Sequence, residues 1–275
     1  TVPIPRGALD KLYQGGWKNT TITNNYVSFF ATFAYSLKDR YVLNANIRSD
    51  ASNRFGQDAN KQFDPTYSLG VSWRMAEEEF VKTHLPWINQ LNMRATYGVQ
   101  GNVVTSVSPD LITQYQGILP GYNEYYLTIS SLPNPLLKWE RTKTWNVGLD
   151  LQLFNGITMS LEYYGRRSNA IINQDIAQEY GMNTMKLNGG RIHNHGLEFS
   201  MNITPYQRKD FAWTIGFNAS KNWNKTQNDD IQTKANKITK SDFISGSSDR
   251  FLKKGYPLSA FWSYSFAGLD PETGY

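Results

Sequence analysis

The 275-residue chain carries 17 Tyr, 14 Phe and 8 Trp, yet its mean hydropathy is −0.53. No run of about 18 apolar residues occurs, which excludes a bundle of membrane-spanning helices, and the lack of cysteine excludes disulfide frameworks, thiolate metal sites and cysteine nucleophiles. A net charge of +5 is mild for this length, so scattered solvated Lys and Arg outweigh a nucleic-acid patch and no nucleic-acid partner is expected.

Eight stretches alternate apolar and polar residues for about ten positions each, the signature of strands with one greasy and one wet face. The first, residues 26–37, sets Val27, Phe29, Ala31, Phe33, Tyr35 and Leu37 against Ser28, Phe30, Thr32, Ala34 and Ser36. Lys38-Asp39-Arg40 is a tight turn, and the return strand sets Tyr41, Leu43, Ala45 and Ile47 against Val42, Asn44, Asn46 and Arg48 before a polar connection over 49–65. The third strand, 67–75, sets Tyr67, Leu69, Val71, Trp73 and Met75 against Ser68, Gly70, Ser72 and Arg74. Residues 76–82 predict a short helix before Pro86, and 91–99 a fourth strand. Residues 100–140, with four prolines, read as an elaborate loop.

The clearest hairpin follows: Trp145, Val147, Leu149, Leu151 and Leu153, then Asn155-Gly156 for the turn, then Ile157, Met159, Leu161 and Tyr163. A loop over 168–190 precedes the seventh strand, with Leu197, Phe199, Met201 and Ile203 on its apolar side. A turn over 205–210 leads to the eighth, with Phe211, Trp213, Ile215, Phe217 and Ala219. A polar loop over 224–254 ends at a ninth candidate, 258–266. A soluble β-protein rarely places two or three large aromatics per strand on the apolar side; lipid rewards that choice.

Connections after strands one, five and seven are short, and those after two, four, six and eight are long. Outer-membrane barrels place short turns in the periplasm and long loops outside the cell, so odd strands are expected to run downward; the helical segment after strand three is the exception to the parity. Residues 1–7 lack the charged and apolar regions of a signal peptide. An unclosed strand set would leave bare edges in lipid, so the expectation is a sector of a larger antiparallel transmembrane β-barrel, an all-β fold.

Several segments resemble SusC/RagA-type TonB-dependent transporters. Lys38-Asp39-Arg40-Tyr41-Val42-Leu43 with Arg48-Ser49-Asp50-Ala51-Ser52-Asn53-Arg54-Phe55-Gly56 resembles one family stretch. Ser68-Leu69-Gly70-Val71-Ser72-Trp73-Arg74 and the segment 91–102 resemble others, as do Asn134-Pro135-Leu136-Leu137-Lys138-Trp139-Glu140 and His195-Gly196-Leu197-Glu198-Phe199-Ser200. Ala51 stands where the family usually has Gly, and Gln100 where Thr or Ala is common. The resemblance runs in order over residues 26–270. It implies a barrel of about 22 strands around a plug, of which this chain is a late piece lacking plug, early strands and closing strands. It further implies a Gram-negative outer-membrane location and TonB-driven import of oligosaccharides or oligopeptides. The implied partners are a SusD-like surface lipoprotein as lid, TonB acting through the plug region, and membrane lipid; the alternative is a passive porin or structural barrel.

The apolar residues Phe29, Phe33, Leu69, Trp73, Trp145, Leu149, Leu151, Phe199, Trp213 and Phe217 are expected to face lipid. The polar set Asn44, Asn46, Arg48, Arg74, Arg94, Asp150, Glu162, Glu198 and Asn218 is expected to line a wet lumen. Tyr115, Tyr122, Tyr125, Tyr126 and Trp139 are candidate ligand or lid contacts, with loop packing or interfacial anchoring as the plainer reading. His193 and His195 share a strand face but lack a third metal ligand at a completing spacing. Glu77 to Glu79 read as a solvated helix start. Asp229-Asp230 with Asn222, Asn224 and Asn228 could hold calcium, though the spacing is not that of an EF-hand and a polar loop is the plainer reading. No nucleophile triad, phosphate loop or dinucleotide fingerprint appears, so neither enzymatic activity nor a cofactor is expected.

Overall fold

Eight strands pair side by side, all antiparallel, in a single sheet, and two more form a separate hairpin. The computed structural model describes residues 25–52, 63–102, 104, 107–119, 121–154, 156–229, 239–245, 251–263, 268 and 272. The strands are β1 (Tyr26–Leu37), β2 (Tyr41–Ser52), β3 (Phe63–Arg74), β4 (Ile88–Asn102), β5 (Ile112–Leu119), β6 (Glu124–Ser131), β7 (Glu140–Leu153), β8 (Ile157–Asp175), β9 (Thr184–Arg208) and β10 (Phe211–Thr226). The large sheet runs β1-β2-β3-β4-β7-β8-β9-β10, and β5 pairs only with β6.

Register carries the two-residue period from strand to strand. Leu69 lies opposite Ala45 and Tyr97, and Tyr97 opposite Trp145. Leu149 lies opposite Met93 and Leu161, Leu161 opposite Phe199, and Phe199 opposite Ala219. Directly opposed residues share a face, so every residue listed above as lipid-facing falls on one side of the sheet. Ring pairs tile that side: Tyr41 with Trp73 at 6.1 Å, Trp145 with Tyr163 at 5.2 Å and Phe199 with Phe217 at 6.0 Å. Nothing in the described residues covers it. Phe29 remains 64% exposed and Phe217 53%, an apolar surface far larger than a water-soluble chain tolerates. The split has exceptions: Phe30, Val42 and Tyr164 lie on the opposite, mainly polar face.

The turn between β1 and β2 holds Lys38 and Asp39 at φ 52° and 54°, the mirror-image conformation that matches strand twist, and Arg40 donates to the Leu37 carbonyl at 3.1 Å. In the β7–β8 turn Phe154 takes the positive φ, 49°, and Gly156 donates to Leu153 O at 3.2 Å; Asn155 lies outside the described residues. Between β3 and β4 a 3-10 turn (Met75–Glu77) precedes helix α1 (Glu79–His84), so the helix starts three residues later than expected. Glu78 is withheld from the helix because its carboxylate accepts from Tyr41 Oη at 2.6 Å, Trp73 Nε1 at 3.1 Å and Arg40 at 3.0 Å. Those donors hold the Glu78 carboxyl below the usual carboxylate range.

Three expectations change. The loop over 100–140 contains β5 and β6, and the loop over 168–190 is mostly strand, with β8 and β9 paired as far as Asp175 and Thr184. The ninth strand candidate is absent over 258–263: Trp262 Nε1 donates to the Phe251 carbonyl at 2.9 Å and its ring packs 4.7 Å from Tyr256, folding the segment on itself instead of along β10. Residues 264–266, residues 1–7 and the Asn53–Gly56 part of the family stretch lie outside the described residues, as does Asp230.

Leu149→Lys or Leu69→Lys is expected to block barrel assembly, at about 2–4 kcal/mol for a charge near the bilayer midplane, whereas Asn44→Lys is tolerated. Heat-modifiability on gels of the extracted membrane protein reads the difference, and equal damage at all three positions would overturn the assignment of faces.

Candidate functional site

On the polar face, one row of opposed residues crosses five strands: Arg94 on β4, Gly148 on β7, Glu162 on β8, Glu198 on β9 and Ser220 on β10. Arg94 donates to Asp150 at 2.5 Å and also to Glu162, one strand further on. It reaches that far because Gly148 has no side chain in the way; a Cβ there would sit 2.7 Å from Arg94 Nε. Ser160 donates to the second oxygen of Asp150 at 2.8 Å, and Asn146 to the second oxygen of Glu162 at 2.9 Å. One guanidinium therefore organises two carboxylates, and Glu198 directly faces Glu162 with a hollow beside it lined by Ser160, Ser200, Asn218 and Ser220. The wall is acidic and hydrogen-bonded there, suited to hydrated polar solutes.

Elsewhere on this face Arg48 grips Asp50 at 2.7 Å and donates to Ser28, Asn46 donates to Ser68 at 3.2 Å, Asn44 sits opposite Gly70, and Arg74 donates to the Asp39 carbonyl at 3.4 Å. The polar residues listed from the sequence thus share one side of the sheet.

The second feature lies at the end with the long connections. There β8 and β9 rise past their neighbours, and residues 132–139 are laced onto them. Asn134 donates to Lys186 O at 3.0 Å, while Asn188 accepts from the Lys138 amide at 2.8 Å and donates to its carbonyl at 2.7 Å. Leu137, Val107 and Trp139 form a small buried cluster, with Val104 and Ile171 against it. Trp139 is 8% exposed, so it packs in this cluster and forms one wall of the adjoining cavity. That cavity, about 510 Å³, is lined by Asp64, Lys138, Trp139, Arg141, Asn188 and Arg191 among others. Arg141 clasps the buried Asp64 at 2.7 Å across Gly101, where a Cβ would overlap the Asp64 carboxylate. The tyrosines divide: Tyr122 and Tyr125 are 74% exposed on the β5–β6 hairpin, Tyr115 packs 5.8 Å from Tyr125, and Tyr126 is half-buried.

The remaining candidates have local roles. His193 and His195 are 5.4 Å apart, and His195 stacks on Trp223; among the described residues no group of three potential ligands forms. Glu77 pairs with Lys82 at 2.7 Å. Asp229 pairs with Lys254 at 2.9 Å, Asn228 accepts from the Arg191 amide, and Asn224 donates to Asn194 and accepts from the Leu258 amide. Asp64, Arg141, Asn188 and the two gaps at Gly101 and Gly148 were not anticipated from sequence. A glycine in a strand flanked by polar inward positions is the signal that could have exposed them, because it marks a close approach.

Gly148→Ala is expected to push the Arg94 guanidinium off Glu162, costing about 1 kcal/mol. In a double-mutant cycle with Glu162→Gln, read by thermal melting, the two effects should be strongly non-additive; simple additivity would rule out the bridge.

The model of a family described as TonB dependent receptor-like, beta-barrel, matches residues 3–274. The TonB-dependent receptor SusC of Bacteroides thetaiotaomicron is 31% identical over 265 residues, covering 88% of this chain and 25% of SusC. The TonB-dependent receptor P39 of Formosa agariphila is 33% identical over 213 residues, 74% of this chain and 19% of P39. The chain thus spans a quarter or less of the length of these relatives. Among solved structures, the RagAB peptide importer superposes with a TM-score of 0.74 in its open-open state at 23% identity, over 91% of this chain and 26% of that one. Its closed-closed state gives 0.72 at 24% identity, over 89% and 26%. At that identity the likeness speaks for the fold. With the family model spanning nearly its whole length, the chain belongs to the TonB-dependent receptor β-barrel family.

Proposed function

We propose that this chain forms a sector of the barrel wall of an active importer in the outer membrane of a Gram-negative bacterium. The observation that carries the reading is the division of one eight-stranded sheet into an aromatic face and a hydrogen-bonded, charged face. In this reading the aromatic face meets lipid, the polar face meets the lumen and a plug, and the long-connection end points out of the cell. Substrates are oligosaccharides or oligopeptides too large for porins, in keeping with the SusC relative and the RagAB peptide importer. A SusD-like lipoprotein lids the mouth, and TonB supplies the work through the plug.

Within that scheme the cavity beside Trp139 and the tyrosines of β5–β6 are the ligand-side or lid-side contacts. The cavity carries cations and amide side chains next to an aromatic wall, a set suited to polar chains with flat faces.

Uptake of a labelled oligosaccharide or oligopeptide pool by cells with and without functional TonB tests the mechanism. Import that persists at full rate without TonB would make the barrel a passive pore. Tyr122→Ala and Tyr125→Ala, each leaving assembly intact, are expected to weaken uptake or lid association by about two- to tenfold; unchanged uptake and lid binding in both would remove the hairpin from recognition.

A further inference from the structure

The sheet separates charge as well as polarity. Among the described residues of the eight-stranded sheet, Asp50, Asp150, Glu162 and Glu198 lie on the polar face, while the aromatic face carries Asp175, at the far end of β8 and eight residues beyond Arg167. Of the cations on the aromatic face, Arg208 lies at the short-turn end and Lys221 lies lower on β10 opposite Leu197, but a continuous row of them occurs at the long-connection end. Lys143 on β7 is directly opposite Arg167 on β8, Arg167 opposite His193 on β9, and His193 opposite Lys225 on β10. Lys143, Arg167 and Lys225 are exposed, and none forms an ion pair with a described residue. Like charges directly opposite across strands repel, so such a row calls for anions from outside the sheet.

Its height fixes what those anions are. On β8 the outward residues run Ile157, Met159, Leu161, Tyr163 and Gly165 before Arg167. That climb is ~34 Å along a strand, or ~26 Å of vertical rise at a tilt of about 40°, the thickness of the apolar band of an outer-membrane barrel. Just below the row stand Trp145 and Trp223, with His195 stacked on Trp223 at 5.2 Å. Aromatic rings of this kind sit at the headgroup boundary. The cations are therefore where the hydrocarbon stops, and the row spans about three strand spacings, ~14 Å.

We infer that Lys143, Arg167 and Lys225, with His193 between them, form a docking surface for the phosphate groups of an anionic glycolipid in the outer leaflet. Arg167 supplies a planar fork that matches phosphate oxygens in pairs, and the two lysines flank it as point charges. The inference rests on the proposed orientation, with the long connections outward.

The test uses the whole receptor purified from outer membranes, with its retained lipid counted by native mass spectrometry. Wild type is expected to retain phosphorylated glycolipid, and K143Q/R167Q/K225Q to lose it while still assembling. Titration with delipidated receptor should show affinity for the glycolipid falling on the order of a hundredfold in the triple variant. Enzymatically dephosphorylated glycolipid should bind wild type as weakly as the intact lipid binds the variant. Equal retention by variant and wild type, or indifference to the phosphates, would overturn the proposal. Tyr122→Cys, which adds a thiol to a chain that has none, reads orientation independently. Labelling by an impermeant maleimide in intact cells supports the outward placement; protection there with labelling only after the membrane is opened would fail the orientation rather than the phosphate chemistry.

Discussion

Everything in this sheet depends on register. With a side-chain period of two, a slip of one residue between any pair of strands would move a whole strand's aromatics to the wet side and its charges to the greasy side. The large sheet holds its alignment over seven successive pairings, from β1 against β2 to β9 against β10. The irregularities lie near strand ends at Ile88/Gln90 and Trp213/Ile215, and within the outer part of the β8–β9 ladder at Ala170/Ile171. Tight turns help set this. A mirror-image turn at Lys38 and Asp39 leaves the two strands one way to meet, and the Glu78 anchor fixes where β3 ends against β2.

The polar face gains its own specificity from that alignment. Arg94 can serve two carboxylates only because Gly148 lies between it and Glu162 on the same row. Shifted by one, the row would offer Val147 or Leu149 instead, and the guanidinium would meet apolar side chains. A half-exposed ion pair contributes little to stability by itself. Its value here is positional, since it distinguishes the correct pairing from its neighbours.

How much of this the sequence disclosed depended on which physical demand acted on each segment. In β1–β4, β7 and the inner part of β8, one face must be apolar, so alternation is strong and the strands, their faces and the polar wall can be read directly. Beyond the apolar band that demand ceases. The outer parts of β8 and β9 contain Asn169, Asn173, Asn188 and Gly189 and a bulge, and pass for a loop although their backbones pair as fully as any. In β5 the alternation is broken by Gly117 at φ 93° and a register shift between Tyr115 and Ile118. The opposite error occurs at 258–263, where the residues alternate well, yet Trp262 satisfies its indole locally on Phe251 and local contact prevails. The cavity beside Trp139 was illegible because it joins residues far apart in sequence, Asp64 with Arg141 and Lys138 with Asn188.

The rise of β8 and β9 beyond their neighbours has a consequence for how such a protein can diversify. The segment that follows the β5–β6 hairpin and the cavity wall are fastened through Asn134 and Asn188 to backbone that, in the proposed orientation, lies beyond the bilayer. In that orientation, residues there are free of the lipid demand that shapes the alternating strands below. Under that proposal, substitutions at the tip can change what is bound while the alternating code below, on which the register of the sheet depends, stays the same.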